Sequence, residues 1–278
     1  MKNDCLTLHG KIVAVTRPKH QSRDIINLIN ACGGEALLAP TIEIVPGESQ
    51  VLDAFTKEVI VREYDYLIFL SANSVTYLME NARSKGVLSQ LIESIGQMTI
   101  LCIGDKTQAR LEASGISGNY AKIQTTEGVI QALGHDLNGI RIGIPRSSLA
   151  DETLREALMH RGAKVREVTA YSTTLPRDTS LVVDLVKKLN NGKVDAVTFT
   201  SSSTAKNLLT IAKNNKLETQ LREGLARTII VAIGPRTKQT INDLDIHVDI
   251  VPTKYSIESM IDALVDKVKG ENVETQNN

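Results

Sequence analysis

The chain contains the same sequence pattern twice, at an offset of about 130 residues. In the first copy a β-prone run ends at Ser71, and in the second copy a similar run ends at Ser201. Other residues keep nearly the same offset, namely Asp65 and Asp195, Gly104 and Gly234, and Thr107 and Thr237. Solenoid units recur every ~20–50 residues, so a longer period indicates a duplicated domain. We expect two similar domains to form a cleft, which is a common place for a small ligand.

Length and composition limit the class of protein. At 278 residues, with 42% hydrophobic and 23% charged residues, the chain is typical of a two-domain globular protein. The formal net charge is zero, so nucleic acid and anionic membranes are not expected partners. The first residues lack the apolar stretch of a signal peptide, and no run is long enough to span a membrane. We therefore expect a cytoplasmic protein.

Cysteine and histidine give no sign of a metal or disulfide framework. The three cysteines, Cys5, Cys32 and Cys102, are scattered and odd in number. The five histidines include no pair at the helical spacing of metal ligands. The sequence therefore predicts a protein with reduced cysteines and without a metal site.

Short apolar runs alternate with helical patterns along the chain. The apolar runs are residues 12–15, 67–70, 100–103, 142–144, 197–200 and 229–233. Such runs are typical of strands buried on both faces of a parallel sheet, and the alternation predicts an α/β fold with right-handed crossovers. The polar residues 271–278 are expected to form a C-terminal tail.

Two proline-ended, β-prone segments, residues 39–46 and 168–176, interrupt the β-α alternation and are candidate linkers. If the chain crosses between domains at both, residues 46–168 form one domain, and residues 1–39 with 176–270 form the other. The linker strands would then be residues 40–45 and 169–175. Two sequential domains remain an alternative on the residues alone.

The predicted strand-to-helix turns are rich in glycine and small hydroxyl residues. These turns are residues 71–74, 104–107, 125–127, 201–204, 234–237 and 255–258. In open α/β sheets ligands bind at this edge, where helix N-termini offer free N–H groups to anions. Helix capping alone explains any single turn, but six such turns favour a ligand with several negative charges.

Glycine, arginine and tyrosine residues limit which ligands and catalytic groups can be expected. Gly104 and Gly234 each stand alone, without a dinucleotide or phosphate-loop fingerprint. Arg17 and Arg146 follow equivalent strands, where each could bind a carboxylate through two hydrogen bonds or remain a solvated loop residue. Tyr171, in the second candidate linker, could donate a proton or simply pack in the strand. The candidate cationic rim also includes Lys106, Arg236 and Lys254.

Motifs spread along the chain carry a resemblance to a known family. They are residues 15–18, 33–34, 40, 69–74, 103–104, 107, 145–146, 162, 171, 199–201, 233–235 and 237. In this order and spacing, the chain resembles the uroporphyrinogen-III synthase family over nearly its whole length. The resemblance implies two flavodoxin-like or Rossmann-like α/β domains with parallel sheets, joined by a two-stranded β-ladder linker.

The resemblance also implies a reaction. The family's substrate is hydroxymethylbilane, a linear tetrapyrrole with eight carboxylates. The family removes the terminal hydroxyl as water and closes the ring with the last pyrrole inverted, through a spiro-pyrrolenine, using no metal or cofactor. Because the uncatalysed closure gives the uninverted isomer, the protein must select one geometry, and positioning supplies such selectivity. We expect a monomeric hydro-lyase of porphyrin and heme biosynthesis.

Residue by residue, the resemblance implies that Tyr171 and Thr237 are the catalytic residues. Tyr171 would assist departure of the hydroxyl, and Thr237 matches a turn threonine that lines the cleft. The implied substrate-binding residues are Arg17, Ser71, Thr107, Arg146, Ser201, Ser202, Ser203 and Gly234. The turn at residues 201–204 departs from the family pattern, since many members carry proline or glycine there. We expect Tyr171 and Thr237 to face solvent. A non-catalytic two-domain module that binds an anionic small molecule is the alternative.

Overall fold

A computed structural model of the chain describes residues 7–116, 121–123 and 125–276. Its strands are β1 (Ile12–Val15), β2 (Glu35–Leu38), β3 (Glu43–Pro46), β4 (Tyr66–Phe69), β5 (Thr99–Ile103), β6 (Ala121–Ile123), β7 (Arg141–Ser147), β8 (Lys164–Thr174), β9 (Ala196–Phe199) and β10 (Ile229–Ala232). Each predicted apolar run lies in or overlaps one of these strands. The expected α/β alternation is therefore confirmed.

Helices occupy most of the segments between the strands. They are α1 (Arg23–Ala31), α2 (Ser49–Ile60), α3 (Ala72–Ser84), α4 (Leu88–Ile95), α5 (Asp105–Ala113), α6 (Thr126–Leu133), α7 (Thr153–His160), α8 (Ser180–Asn190), α9 (Ser202–Asn214), α10 (Glu218–Leu225), α11 (Pro235–Asn242) and α12 (Ile257–Gln276). Within the described ranges, none of them combines the length and the apolar composition needed to cross a membrane. Helix α12 continues into the segment predicted as a polar tail, because a buried stripe that includes Leu264 and Val268 anchors it. The tail residues 277–278 lie outside the described residues.

The chain divides into two compact units. Unit 1 comprises residues 1–43 and 174–278, and its sheet has the strand order β10-β9-β1-β2. Unit 2 comprises residues 44–173, and its sheet has the order β3-β8-β7-β4-β5-β6. Strand pairs within β10-β9-β1-β2 and within β8-β7-β4-β5-β6 are parallel. Parallel pairing therefore dominates both sheets.

Each sheet combines strands from both copies of the repeat. In unit 1, β9 of the second copy pairs with β1 of the first, and in unit 2, β4 pairs with β7. The same clamp fixes both pairs. An Asp195 carboxylate oxygen accepts from the Ile12 amide at 2.8 Å, and an Asp65 oxygen accepts from the Arg141 amide at 2.8 Å. Each aspartate precedes one strand and binds the first residue of its neighbour, so the clamps set the register of both exchanged pairs.

Alternating side chains of the central strands fill a core on each face of the sheet. In unit 1, Ala14 packs with Phe199 on one face, while Val13 and Val15 pack with Leu264 on the other. Unit 2 repeats the arrangement, with Phe69 in one core and Ile68 in the other. Strands covered on both faces need apolar residues at every position, which explains their uninterrupted apolar runs.

Strands β3 and β8 lie side by side at one edge of the unit 2 sheet. Just after β3, the Gly47 amide donates to the Ala170 carbonyl at 2.9 Å. A Cβ at Gly47 would lie only 1.8 Å from the Thr169 carbonyl oxygen, so this approach requires glycine. The boundary between the units falls between Glu43 and Ile44 and again between Thr173 and Thr174.

Candidate functional site

The predicted turns follow strands of the two sheets. In unit 2, residues 71–74 follow β4 and residues 104–107 follow β5. In unit 1, residues 201–204 follow β9 and residues 234–237 follow β10. Because the strands within each group are parallel, the two turns of one unit lie at the same edge of its sheet. We call residues 71–74 the Ser71 turn and residues 201–204 the Ser201 turn.

The Ser71 turn begins helix α3. The Ser71 hydroxyl accepts a hydrogen bond from the Ser74 amide at 3.2 Å, which makes it the N-cap of the helix. The Ser74 hydroxyl donates back to the Ser71 carbonyl at 2.6 Å. Capping therefore occurs, and it leaves the Ser71 hydroxyl proton available for a further partner.

That further partner is Tyr171 on β8. Its hydroxyl oxygen lies 3.1 Å from the Ser71 Oγ. The Tyr171 ring stacks on Tyr77 of α3, with centroids 5.9 Å apart and planes inclined by 21°. The Tyr77 hydroxyl donates to the Ile44 carbonyl at 2.7 Å. The predicted acid is thus held by the turn at its hydroxyl and by an aromatic neighbour at its ring.

Two expectations about solvent exposure are wrong. Only 8% of Tyr171 and 5% of Thr237 is exposed, so both residues are buried rather than lining solvent. Tyr171 belongs to the core that contains Phe69, because β8 is an inner strand covered by α3. Thr237 lies on the inner face of α11 together with Ile241. Substitution of either residue therefore affects packing.

The Ser201 turn has the same local structure as the Ser71 turn. Ser201 is the N-cap of α9, and Thr204 donates from its hydroxyl to the Ser201 carbonyl at 2.7 Å. Ser202 accepts from the Thr240 hydroxyl at 2.9 Å, so its side chain joins α9 to α11. Ser203 is exposed at the start of α9. The residue types that depart from the family pattern therefore still form a capped helix start.

The second turn of each unit places a threonine and a glycine at a helix start. Gly104 has φ +78°, a conformation that favours glycine, whereas Gly234 is extended with φ −169°. Thr107 and Thr237 are buried at the first turns of α5 and α11. Among the described residues, no hydrogen bond of either threonine hydroxyl is recorded and no buried side-chain oxygen lacks a partner. Both hydroxyl oxygens therefore keep a small exposed area, although the residues themselves are buried.

The two predicted carboxylate-binding arginines differ. The Arg146 guanidinium donates to the Ala150 and Asp151 carbonyls and to the carboxylates of Glu152 and Glu167, each at 2.9–3.0 Å. Only 11% of the Arg146 side chain is exposed. These contacts use four of its N–H donors. Groups of the protein itself therefore occupy the donors that the sequence assigned to a carboxylate of the ligand, and the geometry gives Arg146 a structural role.

Arg17 lies at the equivalent position after β1 and is half-buried. Within the described ranges, no hydrogen bond or ion pair of its guanidinium is recorded. Burial lowers the pKa of Arg17, and the nearby Asp24 charge acts in the opposite direction. Arginine keeps its proton at neutral pH, so this is a partly desolvated cation able to accept an anion.

The remaining predicted features lie at the surface or give no site. Lys106, Arg236 and Lys254 are exposed. Among the described residues, no group of three or more potential ligands could hold a metal ion. Cys32 and Cys102 are free thiols, while Cys5 lies outside the described residues. A cavity of about 490 Å³ near Arg222, Arg227 and His247 is lined by none of the turn residues.

Sequence reasoning missed Tyr77. A usable signal exists, because Ser71, Ser74 and Tyr77 are spaced three residues apart and therefore share one side of α3. The equivalent residues of the second copy are Ser201, Thr204 and Asn207. An aromatic residue present in only one copy of a repeat is the feature that could have identified it.

Comparison with known proteins supports the resemblance. The model of the uroporphyrinogen-III synthase HemD family matches residues 23–262. The chain belongs to the uroporphyrinogen-III synthase family. A Methanothermobacter thermautotrophicus protein provisionally named uroporphyrinogen-III synthase is 35% identical over 94% of this chain and 100% of its own length.

A second relative agrees with this membership, and a solved structure shares the fold. The uroporphyrinogen-III synthase of Chlorobaculum parvum is 28% identical over 93% of this chain and 100% of its own length. A mutant uroporphyrinogen III synthase from Thermus thermophilus matches in structure with a TM-score of 0.60. That match has 20% identity and covers 94% of this chain and 99% of the Thermus chain, so it shows a shared fold.

Proposed function

We propose that this family member converts hydroxymethylbilane to uroporphyrinogen III, with inversion of the terminal ring and loss of water. The observation that carries the proposal is the hydrogen-bonded placement of Tyr171 beside the Ser71 turn. In a uroporphyrinogen-III synthase family member, this arrangement supplies a proton donor at the edge of a parallel sheet where ligands bind. Such a placement favours an enzyme over a module that only binds an anion.

The Tyr171 hydroxyl is the proposed proton donor to the leaving hydroxyl of the substrate. Donation of the phenolic proton lets the C–O bond break with release of water, and the bond electrons leave with the oxygen. The electron-deficient carbon is then attacked by the substituted carbon of the terminal pyrrole, which gives the spiro intermediate. The bond between that substituted carbon and its original methylene bridge then breaks, which frees an electron-deficient methylene carbon. The unsubstituted α-carbon of the same pyrrole attacks this carbon and closes the inverted ring. Loss of the proton on the attacking carbon restores the pyrrole and replaces the proton that Tyr171 donated. General acid assistance of this kind contributes roughly 10²–10⁴-fold to a rate.

Carboxylate binding is assigned to both units. In unit 1 the proposed contacts are Arg17, the backbone N–H groups of the Ser201 turn, including Ser202 and Ser203, and Gly234, and Thr237 is proposed as the second catalytic residue. In unit 2 they are the backbone of Ser71 and the hydroxyl of Thr107. Helix N-termini and a partly desolvated arginine suit carboxylates, and the two threonine hydroxyls keep a small exposed area.

Several finer features remain part of the proposal. We propose that residues 40–45 and 169–175 are the two linker strands between the domains. The division of the chain near Glu43 and Thr174 supports this placement. We further propose a monomeric, cytoplasmic enzyme of heme and porphyrin biosynthesis that needs no metal or cofactor.

Isomer analysis tests the function directly. A deaminase generates hydroxymethylbilane in the cuvette, the purified protein is added without metal or nucleotide, and the oxidised porphyrins are separated by chromatography. The proposal predicts predominantly the type III isomer, with type I in the protein-free control. Type I alone, from a sample whose circular dichroism shows a folded α/β protein, would favour the binding module instead.

A further inference from the structure

We infer that Tyr77 is a positioning residue that holds Tyr171 in its proton-donating geometry. This inference rests on the proposed function, since it concerns the same proton transfer. It assigns no new contact with the substrate. Its basis is the aromatic pair of unit 2, its hydrogen bonds, and the absence of that pair from the equivalent place in unit 1.

One helix supplies both contacts that fix Tyr171. Helix α3 begins at its cap residue Ser71, which meets the Tyr171 hydroxyl at 3.1 Å. Farther along the same helix, Tyr77 stacks on the Tyr171 ring with centroids 5.9 Å apart. The Tyr77 hydroxyl is itself bound to the Ile44 carbonyl at 2.7 Å. The ring and the hydroxyl of Tyr171 are therefore both held by contacts with α3 and its cap residue.

The hydrogen bonds of the Ser71 turn also allow an orientation of the phenolic proton that suits its donation. The Ser71 oxygen accepts from the Ser74 amide, while the Ser74 hydroxyl spends its own proton on the Ser71 carbonyl. The Ser71 proton can then go to the Tyr171 oxygen at 3.1 Å or to the Ser74 oxygen at 3.5 Å. When Ser71 donates to Tyr171, the Tyr171 proton is free for the substrate, and we include this orientation in the inference.

Tyr77 completes this arrangement because it limits rotation of the Tyr171 ring. A phenol that swings away from Ser71 loses both the hydrogen bond and its aim at the leaving hydroxyl. Stacked aromatic rings resist such motion through their broad contact area and their electrostatic preference for offset geometry. Catalysis by positioning is sensitive to small displacements, so a loosened ring lowers the rate of the chemical step more than substrate binding.

The duplicated copy shows that the aromatic pair is not required by the architecture. Unit 1 has the same capped turn at Ser201, yet Ile42 and Asn207 occupy the positions of Tyr171 and Tyr77. The Asn207 amide donates to the Thr41 carbonyl at 2.9 Å, so α9 is still tied to the preceding chain segment. A side chain without a ring is therefore sufficient to bind the helix to the preceding segment. We infer that the ring of Tyr77 has a separate role.

Two substitutions at position 77 separate the ring from the hydroxyl. Tyr77→Phe keeps the stacked ring and loses the bond to Ile44. Tyr77→Asn copies the residue of unit 1, keeps a donor and loses the ring. The matched control is Asn207→Ala, which removes the equivalent side chain in unit 1. All are assayed beside the wild type with hydroxymethylbilane generated in the cuvette, and kcat, KM and the isomer ratio are measured after a thermal melt shows folding.

The inference predicts that Tyr77→Asn lowers kcat by roughly tenfold with KM within about twofold of wild type. Tyr77→Phe and Asn207→Ala are expected to keep kcat within about twofold. A folded Tyr77→Asn protein with wild-type kcat would overturn the inference, as would an equal loss in Tyr77→Phe. If Tyr77→Asn does not fold, Tyr77→Leu replaces it under the same criteria. Failure of the proposed function is seen separately, as type I product from the wild type.

Discussion

The Ser71 and Ser201 turns have the same backbone design and different side chains around them. Each begins with a serine N-cap and continues with a hydroxyl residue that donates back to the serine carbonyl. Around the Ser71 turn, Tyr171 and Tyr77 form a stacked pair, whereas Ile42 and Asn207 stand at those places in unit 1. Capping therefore forms the turn in both copies, and an aromatic pair flanks it in one copy alone.

Arg146 and Arg17, the equivalent arginines of the two units, also differ in their contacts. Arg146 of unit 2 is held by two carboxylates and two carbonyls, while no hydrogen bond of the Arg17 guanidinium is recorded within the described part of the chain. Duplication therefore provided two similar sheet edges that later diverged. We propose Tyr171 of unit 2 as the acid and Arg17 of unit 1 as a carboxylate ligand.

Removal of the phenolic hydroxyl gives the largest expected effect. Tyr171→Phe should lower kcat by about 10²-fold or more, because the leaving hydroxyl loses its proton donor. The unfolding free energy should change by only about 1 kcal/mol, because the ring remains and one hydrogen bond is lost. Steady-state kinetics and a denaturant melt measure the two effects.

A control for this prediction lies in the other copy. Ile42→Val, at the equivalent position, should cost about 1 kcal/mol of stability and leave kcat unchanged. Comparable losses of kcat in both variants would mean that the two copies contribute equally, which would remove the distinction between them.

Arg146→Gln should destabilise the protein by about 3 kcal/mol at neutral pH, because Glu167, with 14% of its side chain exposed, loses its cation. Burial raises the pKa of Glu167, and Arg146 opposes that rise. Without Arg146 the folded protein therefore binds a proton more tightly than the unfolded chain does. The variant should gain stability relative to wild type as pH falls from 7 to 5, which thermal melts would show. An equal loss of stability at the higher and the lower pH would contradict the role that we assign to the ion pair of Arg146 and Glu167.

Arg17→Gln should leave stability nearly unchanged and raise KM by roughly tenfold, because a charge-assisted hydrogen bond to a carboxylate is lost. Arg17→Lys is a useful companion, since it keeps the charge and loses the forked geometry. An unchanged KM in Arg17→Gln would remove Arg17 from the substrate contacts.

The smallest expected effects concern the two aspartate clamps. Asp195→Asn should destabilise unit 1 by about 1 kcal/mol, because the carboxylate that accepts from the Ile12 amide loses its charge and Lys11 loses its partner at 2.8 Å. Asp65→Asn is the matched change in unit 2. Chemical denaturation monitored by circular dichroism measures both, and a variant that is as stable as wild type would show that its clamp is dispensable.

The Asp65 clamp also has a predicted pH dependence. The Arg141 amide, aided by its guanidinium, lowers the pKa of Asp65. Because the pKa of Asp65 is lower in the folded protein than in the unfolded chain, its carboxylate stabilises the fold at pH values above the unfolded pKa of about 3.9. This stabilisation is lost as the pH falls through the folded pKa. Acid titration of stability should therefore be shallower in Asp65→Asn than in wild type. Identical titrations would contradict the assignment.

The sequence was sufficient for the repeat, the strands and the family. Periodicity and the long offset are local features, so residues such as Val13 and Ile68 could be placed in buried strands without coordinates. It was insufficient for side-chain environments. Arg17 and Arg146 were both expected just after a strand, yet Arg146 lies within β7, and only the fold brings Glu167 of the neighbouring strand to it.

Burial of Tyr171 was missed for a related reason. A tyrosine in a candidate linker was expected to face solvent, yet β8 lies between β3 and β7 and is covered by Tyr77. Pairing between strands distant in the chain determines that environment, and single-chain patterns do not contain it. The sequence alone does show that Tyr77 and Asn207 differ at equivalent positions of the repeat.

A double-mutant cycle with Tyr171→Phe and Arg17→Gln tests the division between the two units most directly. In the type III formation assay, Tyr171→Phe should lower kcat alone and Arg17→Gln should raise KM alone. The double variant should show both changes, with free-energy effects on kcat/KM that add within about 0.5 kcal/mol. If both single variants alter the same parameter, or if the double variant is no worse than Tyr171→Phe, the proposed separation of acid and carboxylate binding is contradicted.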